Sequence, residues 1–220
     1  MKTLIPFLIL TASAHAATIY SIDINDADDP ITEAGWTGLN ANHSTNGGTV
    51  NIGGVDFSID SSDGSRVRGT SASPNPNALT GDFAFDDGAG QAVILLFGAA
   101  GDLPAGIWQV EVWAFDSSGG VGDQILGLRT NGGENNAATI NGSLQANGRV
   151  TDNMGSSPTD PAATFTFLSD GVSRYDVFVR ENNGNNRSRL NAVRLTSIPE
   201  PSSAALAGLG GLAFLLRRKR

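Results

Sequence analysis

Short runs in which apolar and polar residues alternate fill the chain between Ala17 and Leu195, and turn residues such as Asp63-Gly64 and Asp170-Gly171 separate them. Alternation with period two indicates strands, and no segment of this region has a convincing helical period. Strands are predicted over 18–24, 49–52, 55–59, 65–68, 82–85, 92–97, 107–116, 124–129, 163–168, 173–180 and 190–196. The pattern predicts an all-β, two-sheet jelly-roll sandwich of about ten strands.

Two of these segments alternate clearly enough to assign their faces. In 107–116 the residues expected to face the core are Trp108, Val110, Val112 and Ala114, and those expected to face outward are Gln109, Glu111, Trp113 and Phe115. In 173–180 the core side should be Tyr175, Val177 and Val179, with Arg174, Asp176, Phe178 and Arg180 outside. Each segment should therefore lie across a sandwich with one apolar face inside.

The first 16 residues have the pattern of a secretory signal peptide. Lys2 supplies a positive start, residues 4–10 are a short apolar stretch, and Ala14-His15-Ala16 fits an A-x-A cleavage site. The apolar stretch is too short to cross a bilayer as an uncleaved anchor. We expect signal peptidase to cut after Ala16, which leaves residues 17–198 as the mature β-sandwich domain.

The last residues form a second targeting segment, 199–220. Pro199-Glu200-Pro201 precedes the apolar stretch 204–216, and the basic residues Arg217, Arg218, Lys219 and Arg220 follow. A helix over 202–216 would rise roughly 22 Å, short of the roughly 30 Å hydrocarbon core, and the basic side chains can extend it by snorkelling. The basic cluster should stay cytoplasmic, so the domain should lie on the export side of the membrane.

The segment SIPEPSSAALAGLGGLAFLLRRKR resembles the PEP-CTERM sorting signal of Gram-negative bacteria. The resemblance implies recognition by an exosortase, a membrane transpeptidase, and a link between surface display and exopolysaccharide production. Pro199, Glu200 and Pro201 would be the residues recognised, as substrate and not as catalyst. The alternative is an ordinary tail anchor.

Charge and cysteine content exclude several functions. The chain contains no cysteine, so a disulfide, a thiolate zinc site and a cysteine nucleophile are all absent. Between residues 17 and 198 there are 9 Arg, no Lys and 21 acidic residues, a net charge of -12. Such a domain should repel nucleic acid and lacks a basic patch for anionic lipid.

A second resemblance concerns the domain itself. Residues 103–116, LPAGIWQVEVWAFD, look like the L-P-x-G-x-Y-x-V-x-V-x-x-x-D strand of galactose-binding-like and carbohydrate-binding jelly rolls, with Trp108 at the aromatic position and Asp116 at the final acid. Residues 190–195 resemble the closing strand of those domains, and Arg66-Val67-Arg68 resembles a basic pair found earlier in them. The resemblance implies a jelly-roll fold and suggests sugar binding.

The mature domain offers little for catalysis. Its single histidine, His43, lies in a Gly/Asn-rich loop without a G-x-S-x-G elbow, and a zinc site would lack a second histidine. The acidic residues allow many glycosidase-type pairs, but their spacing selects none. We therefore expect a protein that is not an enzyme.

Two kinds of binding site are suggested. Calcium needs several hard oxygen ligands, and the acid-rich segments 23–29 and 116–123 supply them, with Asp23, Asp26, Asp28, Asp116 and Asp123 as candidate ligands. The alternative is that these are solvated acidic turns. Trp36 in a polar loop and Trp113 on an outward face are candidate platforms for sugar rings, unless they pack under loops.

Three functions remain open. The first is a non-catalytic surface or matrix protein that is exported, tethered and processed by an exosortase. The second is a carbohydrate-binding module that holds exopolysaccharide, and the third is a secreted polysaccharide-degrading enzyme.

Overall fold

A computed structural model of the protein describes residues 16–41, 47–61, 63–67, 78–87, 92–98, 101–116, 124–130, 143–150, 159–181 and 188–199. The strands are β1 (Ile19–Asp26), β2 (Thr37–Ala41), β3 (Gly47–Ile52), β4 (Val55–Asp60), β5 (Ser65–Val67), β6 (Asp82–Asp86), β7 (Ala92–Phe97), β8 (Gly106–Trp113), β9 (Gln124–Thr130), β10 (Ser143–Val150), β11 (Ala163–Ser169), β12 (Tyr175–Glu181), β13 (Ser188–Leu190) and β14 (Ala192–Ile198). One turn of 3-10 helix, Ala78–Thr80, precedes β6.

The strands form three sheets. The five-stranded sheet has the order β11-β8-β14-β1-β2, the six-stranded sheet β10-β9-β12-β7-β4-β3, and the small sheet β13-β6-β5. Within these described sheets β1 and β2 pair in parallel, whereas the other pairs are antiparallel. A parallel pair cannot be joined by a tight hairpin, and residues 27–36 make the longer connection.

One apolar core lies between the two large sheets. Ile22 and Ile24 of β1, Val110 of β8, Phe57 of β4 and Leu95 of β7 belong to this single cluster and are almost completely buried. The expected inward faces of β8 and β12 also lie in it. The all-β prediction from the alternating pattern is confirmed, and the small sheet β13-β6-β5 adds a third sheet to the two that were predicted.

The predicted strands all coincide with observed ones, and three observed strands were missed. The missed strands β2, β10 and β13 have the sequences TGLNA, SLQANGRV and SRL, which contain few apolar residues in alternation. Strand β8 ends at Trp113, three residues earlier than predicted. There the Phe115 amide donates to the side-chain carbonyl of Asn191, at 2.6 Å, and this bond takes the place of a strand pairing.

Four of the residues that were expected to face outward are buried. Trp113 and Phe115 are 0% and 3% exposed, and Asp176 and Phe178 are 0% and 1% exposed. Trp113 is covered by Trp36, Leu79 and Ala192, which form a second apolar cluster. Alternation distinguishes the two faces of a strand, but it cannot show what other parts of the chain lie over the second face.

Both targeting segments lie outside the described residues, except for Ala16 and Pro199 at their inner ends. Within the ranges given above, no helix has the length and apolar character needed to span a membrane.

Candidate functional site

The connection 27–36 crosses the outer face of the five-stranded sheet and is held there by three buried polar side chains. Asp23 and Asn25 alternate with the core residues Ile22 and Ile24, so they point to this face. The Asp23 Oδ2 accepts a hydrogen bond from the Glu33 amide at 2.6 Å. The Asn25 Nδ2 donates to the Thr32 hydroxyl at 2.5 Å.

Asp82, at the start of β6, is the third of these side chains. Its Oδ2 accepts hydrogen bonds from the amides of Asp26 at 3.0 Å and Ile31 at 3.3 Å. The buried carboxylates of Asp23 and Asp82 therefore hold the connection at Ile31 and Glu33, and Asp82 also holds Asp26 at the end of β1.

The close fit of this connection requires a glycine at position 38. A Cβ on Gly38 would lie 2.7 Å from Asn25 Nδ2 and 2.8 Å from Thr32 Oγ1. Gly38 pairs directly with Asp23 across the parallel β1–β2 ladder. A larger residue would therefore displace the Asn25–Thr32 hydrogen bond.

Each of the three side chains also has one oxygen with no hydrogen-bond partner in the described part of the chain. These atoms are Asp23 Oδ1, Asn25 Oδ1 and Asp82 Oδ1. All three residues are 0% exposed. A buried acceptor left unpaired costs about 1–3 kcal/mol, so this local structure is incomplete without a further donor or a cation.

The pKa values of the two carboxyls reflect the same burial. Burial raises the pKa of Asp23 to about 8, with the Asp82 and Glu33 charges adding to the rise and the hydrogen bond from the Glu33 amide opposing it. Burial likewise raises the pKa of Asp82 to about 7, against the hydrogen bonds from Asp26 and Ile31. Near neutral pH each of these two carboxyls is therefore protonated far more often than an exposed aspartate.

The chemistry of this donor set suits a hard divalent cation such as Ca²⁺. Two carboxylates and one amide carbonyl oxygen are ligand types that calcium prefers. No group of three or more His, Cys, Asp or Glu side chains positioned for a metal occurs in the described ranges. A cation here would therefore need the Asn25 oxygen, and backbone or water oxygens, beside the two carboxylates.

The predicted calcium ligands are distributed over different surroundings. Asp23 belongs to the buried cluster, whereas Asp26 Oδ1 accepts from the Asp28 amide at 2.9 Å in a local turn. Asp28 is exposed. Sequence reasoning missed Asp82, because it is distant in the chain from Asp23 and is the first residue of an apolar strand, not part of an acid-rich segment.

The second predicted group contains an ion pair instead. Asp116 is 0% exposed, and its Oδ2 lies 3.2 Å from Nε of the equally buried Arg189. Arg189 also lies over the rings of Phe83 and Phe85, at 5.3 and 5.4 Å. Asp123 lies outside the described residues, as does His43.

The two candidate tryptophans contact each other. Trp36 meets Trp113 edge to face at 5.1 Å between ring centroids, and the Arg194 guanidinium lies 4.4 Å from the Trp36 ring. Arg194 is also 3.6 Å from Glu111. Trp113, being fully buried, offers no ring face to a sugar, which corrects the prediction of an accessible platform there. Trp36 is partly exposed.

A second possible binding surface is an open groove on the six-stranded sheet. Its volume is about 470 Å³, and its lining includes Thr49, Asn51, Asp56, Ser58 and Arg174. The Asn51 Nδ2 donates to the Asp56 Oδ1 at 2.6 Å. The groove therefore offers hydroxyl, amide, carboxylate and guanidinium groups in one place.

The two ends of the domain meet at one end of the inner strands β1 and β14 of the five-stranded sheet. Another groove, of about 560 Å³, is lined by both Ala16 and Pro199, together with the apolar residues Ile107, Leu168 and Ile198. Leu168 and Ile198 are 67% and 41% exposed. The sorting residues Glu200 and Pro201 and the basic tail Arg217 to Arg220 lie outside the described part of the chain.

Comparison with known proteins supports the interpretation of the C-terminus. Residues 197–220 match the family model described as the PEP-CTERM protein-sorting motif. This motif marks an exported protein of Gram-negative bacteria that an exosortase processes at the membrane. The matched segment overlaps the last two residues of β14, so the sorting motif follows directly on the folded domain.

The other comparisons add no functional information. No curated protein matches the chain. Among solved structures, the chain is similar to the enzymatically active domain of tailspike protein 4 from bacteriophage CBA120, with 9% identity and a TM-score of 0.24 over 82% of this chain and 19% of that chain. At this TM-score the similarity supports no argument about fold or function.

Proposed function

We propose that this chain is a non-catalytic β-sandwich protein that is exported, tethered by its C-terminus, and transferred by an exosortase to the cell surface or the exopolysaccharide matrix. The observation that carries the proposal is the sorting motif at 197–220, which starts at the last strand of the folded domain. The folded domain is then the part of the chain that is delivered, and the C-terminal motif is the signal that directs its sorting.

The proposal includes the finer steps expected from the sequence. Signal peptidase removes residues 1–16, and the stretch 204–216 inserts as a short membrane helix whose basic end stays cytoplasmic. The sandwich between them is a jelly roll in this proposal. The partners are signal peptidase, exosortase and membrane lipid, with exopolysaccharide as the matrix partner and no nucleic acid.

The test replaces the recognised residues. In cells that contain the exosortase, Glu200→Ala with Pro201→Ala should abolish C-terminal processing and leave the chain in the membrane fraction, as measured by fractionation and intact mass. Asp160→Ala with Pro161→Ala removes an acidic residue and a proline elsewhere in the chain and should have no effect. Unchanged surface display of the Glu200 variant would leave only a plain tail anchor.

A second proposal is that the domain binds Ca²⁺ through Asp23, Asn25 and Asp82. The supporting observation is the three fully buried oxygens that lack a partner within the described residues. A cation there also offsets part of the net charge of -12 between residues 17 and 198, which opposes the compact state. Binding to the folded state alone stabilises it by about 2.7 kcal/mol at a free concentration 100 times the dissociation constant.

Thermal unfolding tests the calcium proposal. The mature chain should melt about 5–10 °C higher in millimolar Ca²⁺ than in EDTA at matched ionic strength, since about 1 kcal/mol corresponds to about 2–4 °C for a domain of this size. Mg²⁺ should do less, because it dehydrates reluctantly. Asp82→Asn should lose the Ca²⁺ shift and the exposed Asp160→Asn should keep it. A shift under about 1 °C in the unaltered chain rules the site out.

Carbohydrate binding is the alternative function, favoured by the polar groove that contains Asn51, Asp56 and Arg174. Its size falls within the usual range of small-ligand sites, about 300–1,000 Å³. A glycan array should then show binding that Asp56→Ala weakens, and Trp36→Ala would report any contribution of the other face. Turnover of a polysaccharide would favour the third function, a degrading enzyme.

A further inference from the structure

The exposed large apolar side chains of the described ranges gather at the end of the domain from which the C-terminus leaves. They are Ile19, Leu168, Val172 and Ile198, which are 57%, 67%, 67% and 41% exposed. Three of them lie on strands of the five-stranded sheet, and Val172 lies in the turn that directly follows β11. Apolar residues exposed singly are ordinary, whereas a contiguous group marks an interaction surface.

The strand register joins these residues into one row on the outer face of the sheet. Leu168 of β11 and Ile198 of β14 are both direct partners of Ile107, on the strand β8 between them. Ile19 of β1 is the partner of Thr196 and therefore lies diagonal to Ile198. Neighbouring strands are about 4.8 Å apart, so the row extends about 14 Å across four strands. We call the set Ile19, Ile107, Leu168, Val172 and Ile198 the apolar corner.

The rest of this outer face is polar or covered. In its middle the Arg194 guanidinium lies 3.6 Å from the Glu111 carboxylate, and the exposed side chains of β11 beyond Leu168 are Thr164 and Thr166. At its far end the connection 27–36 lies over the sheet. The apolar corner is therefore a bounded surface and not part of a generally apolar face.

The chemistry of the apolar corner is also largely uncharged. The groove of about 560 Å³ beside it has no charged side chain among the described residues that line it. Asp170 is the acidic residue of the turn that carries Val172, and its carboxylate accepts hydrogen bonds from the amides of Val172 and Ser173 and from the Ser173 hydroxyl. The chain itself thus solvates this carboxylate.

We propose that the apolar corner rests on the lipid bilayer, with its side chains at the boundary between headgroups and acyl chains. This inference rests on the C-terminal tether proposed above. Ile198 is the last residue of β14, and residues 200–203 separate Pro199 from the apolar stretch 204–216. Even a fully extended chain covers at most about 18 Å in the five steps from Pro199 to Ala204. A bilayer that holds this stretch therefore lies within reach of the corner.

The tether and the charge of the domain define the kind of contact. A short linker gives an effective concentration of about millimolar, so a weak contact is sufficient. Apolar side chains at a bilayer surface reach about 5–10 Å into the boundary of headgroups and acyl chains. Residues 17–198 contain no Lys and carry a net charge of -12, which opposes binding to anionic lipid. The contact is therefore apolar and made with zwitterionic lipid.

The experiment places a fluorescent reporter on the corner of the mature chain. Because the chain has no cysteine, Val172→Cys allows a single environment-sensitive fluorophore to be attached there. The labelled chain is reconstituted into phosphatidylcholine vesicles whose acyl chains carry a quencher. A reporter at Thr164→Cys is the positional control, since it is exposed on the same face of β11 as Leu168, four residues or about 13 Å away.

Two further variants test the apolar contact itself. In the chain labelled at position 172, Leu168→Glu places a charge in the corner, and Thr164→Glu places the same charge on an exposed position of the same strand outside it. Lipid-borne quenching at position 172 should exceed that at position 164 at least about twofold, because of the depth that apolar side chains reach. Leu168→Glu should abolish this excess, and Thr164→Glu should preserve it.

Three results would overturn the docking proposal. They are equal quenching at positions 172 and 164, quenching at 172 that Leu168→Glu leaves unchanged, and a blue-shifted emission at 172 without quenching. The last result would mean that a second copy of the chain covers the corner instead of lipid. A chain that floats with the vesicles but shows any of these results still has its tether. A chain that does not float with the vesicles has no tether, and the proposed anchoring fails together with the docking.

Discussion

At the scale of single residues, the buried acids Asp23 and Asp82 are the groups whose ionisation most affects this fold. Their folded-state pKa values, about 8 and about 7, lie above the ordinary value of 3.8. The folded protein therefore binds more protons than the unfolded chain between these limits. The contribution of these two carboxyls to the free energy of unfolding is fully present below about pH 4. It is lost as the pH rises through 7 to 8.

This linkage gives a prediction for the cation-free protein. In EDTA the free energy of unfolding should fall between pH 5 and 8, by up to about 1.4 kcal/mol per pH unit for each carboxyl. Asp82→Asn should flatten the slope, because the amide oxygen still accepts from Asp26 and Ile31 without a charge. Urea unfolding at several pH values measures the slope of the free energy of unfolding against pH, with Asp160→Asn as the control. A slope that is the same in both variants would contradict the assignment to Asp82.

A second residue-scale prediction concerns the ion pair on the outer face of the six-stranded sheet. Arg129 Nε lies 2.6 Å from Asp176 Oδ1, with both side chains almost fully buried. Arg129→Ala should destabilise the domain by about 3–5 kcal/mol, since it leaves a buried carboxylate without its cation. Arg129→Met with Asp176→Leu should cost much less, and urea unfolding compares the two. If the double variant is the less stable, the pair is worth more than an apolar replacement.

At the scale of elements, the sequence predicted those strands in which apolar and polar residues alternate. It missed strands that lack this alternation and form because they hydrogen-bond to a neighbouring strand. Strand β2 contains only Leu39 as a large apolar residue, and it is a strand because it pairs with β1. The faces of β8 and β12 were assigned correctly toward the core. The contact in which Trp36 covers Trp113 could not be predicted. The two residues are far apart in the sequence, and they meet only because the connection 27–36 folds across the sheet.

The corner between β2 and β3 provides an element-scale prediction. A Cβ on Gly48 would lie 2.0 Å from the Asn40 backbone oxygen, so the two large sheets approach each other here without room for a side chain. Gly48→Ala should destabilise the domain by at least about 2 kcal/mol, because backbone must move. The neighbouring exposed substitution Thr49→Ala should cost less than about 0.5 kcal/mol. Equal melting temperatures for the two variants would contradict this prediction, because they would show that the backbone near Gly48 can move at little cost.

At the scale of the whole molecule, the candidate sites were predictable in different degrees. The sorting motif is a contiguous run of letters, so the sequence alone identified it, and the family match agrees. The Asp23, Asn25 and Asp82 cluster joins two strands that are distant in sequence, so only Asp23 was among the predicted ligands. Both ends of the domain meet because β1 and β14 pair, which no local pattern reveals.

A whole-molecule prediction is that the mature chain begins at Ala17. Sequencing the N-terminus of the exported protein should give Ala-Thr-Ile-Tyr, because signal peptidase requires the small residues Ala14 and Ala16 before the cut. The same preparation from cells expressing Ala14→Leu with Ala16→Leu should keep Met1 and remain with the membrane. A chain that starts at Met1 without substitution would mean that the N-terminal segment is an anchor.

The edge-to-face contact of Trp36 with Trp113 gives the domain an intrinsic fluorescence reporter. Trp36 ends the connection 27–36 and is the partly exposed tryptophan, whereas Trp108 and Trp113 are 2% and 0% exposed. Any event that lifts the connection from the sheet separates Trp36 from its neighbour and hydrates Trp113, which shifts the emission maximum to longer wavelength while the core Trp108 stays constant. A simple emission spectrum, recorded during titration with EDTA or acid, can therefore follow this one connection without any added label.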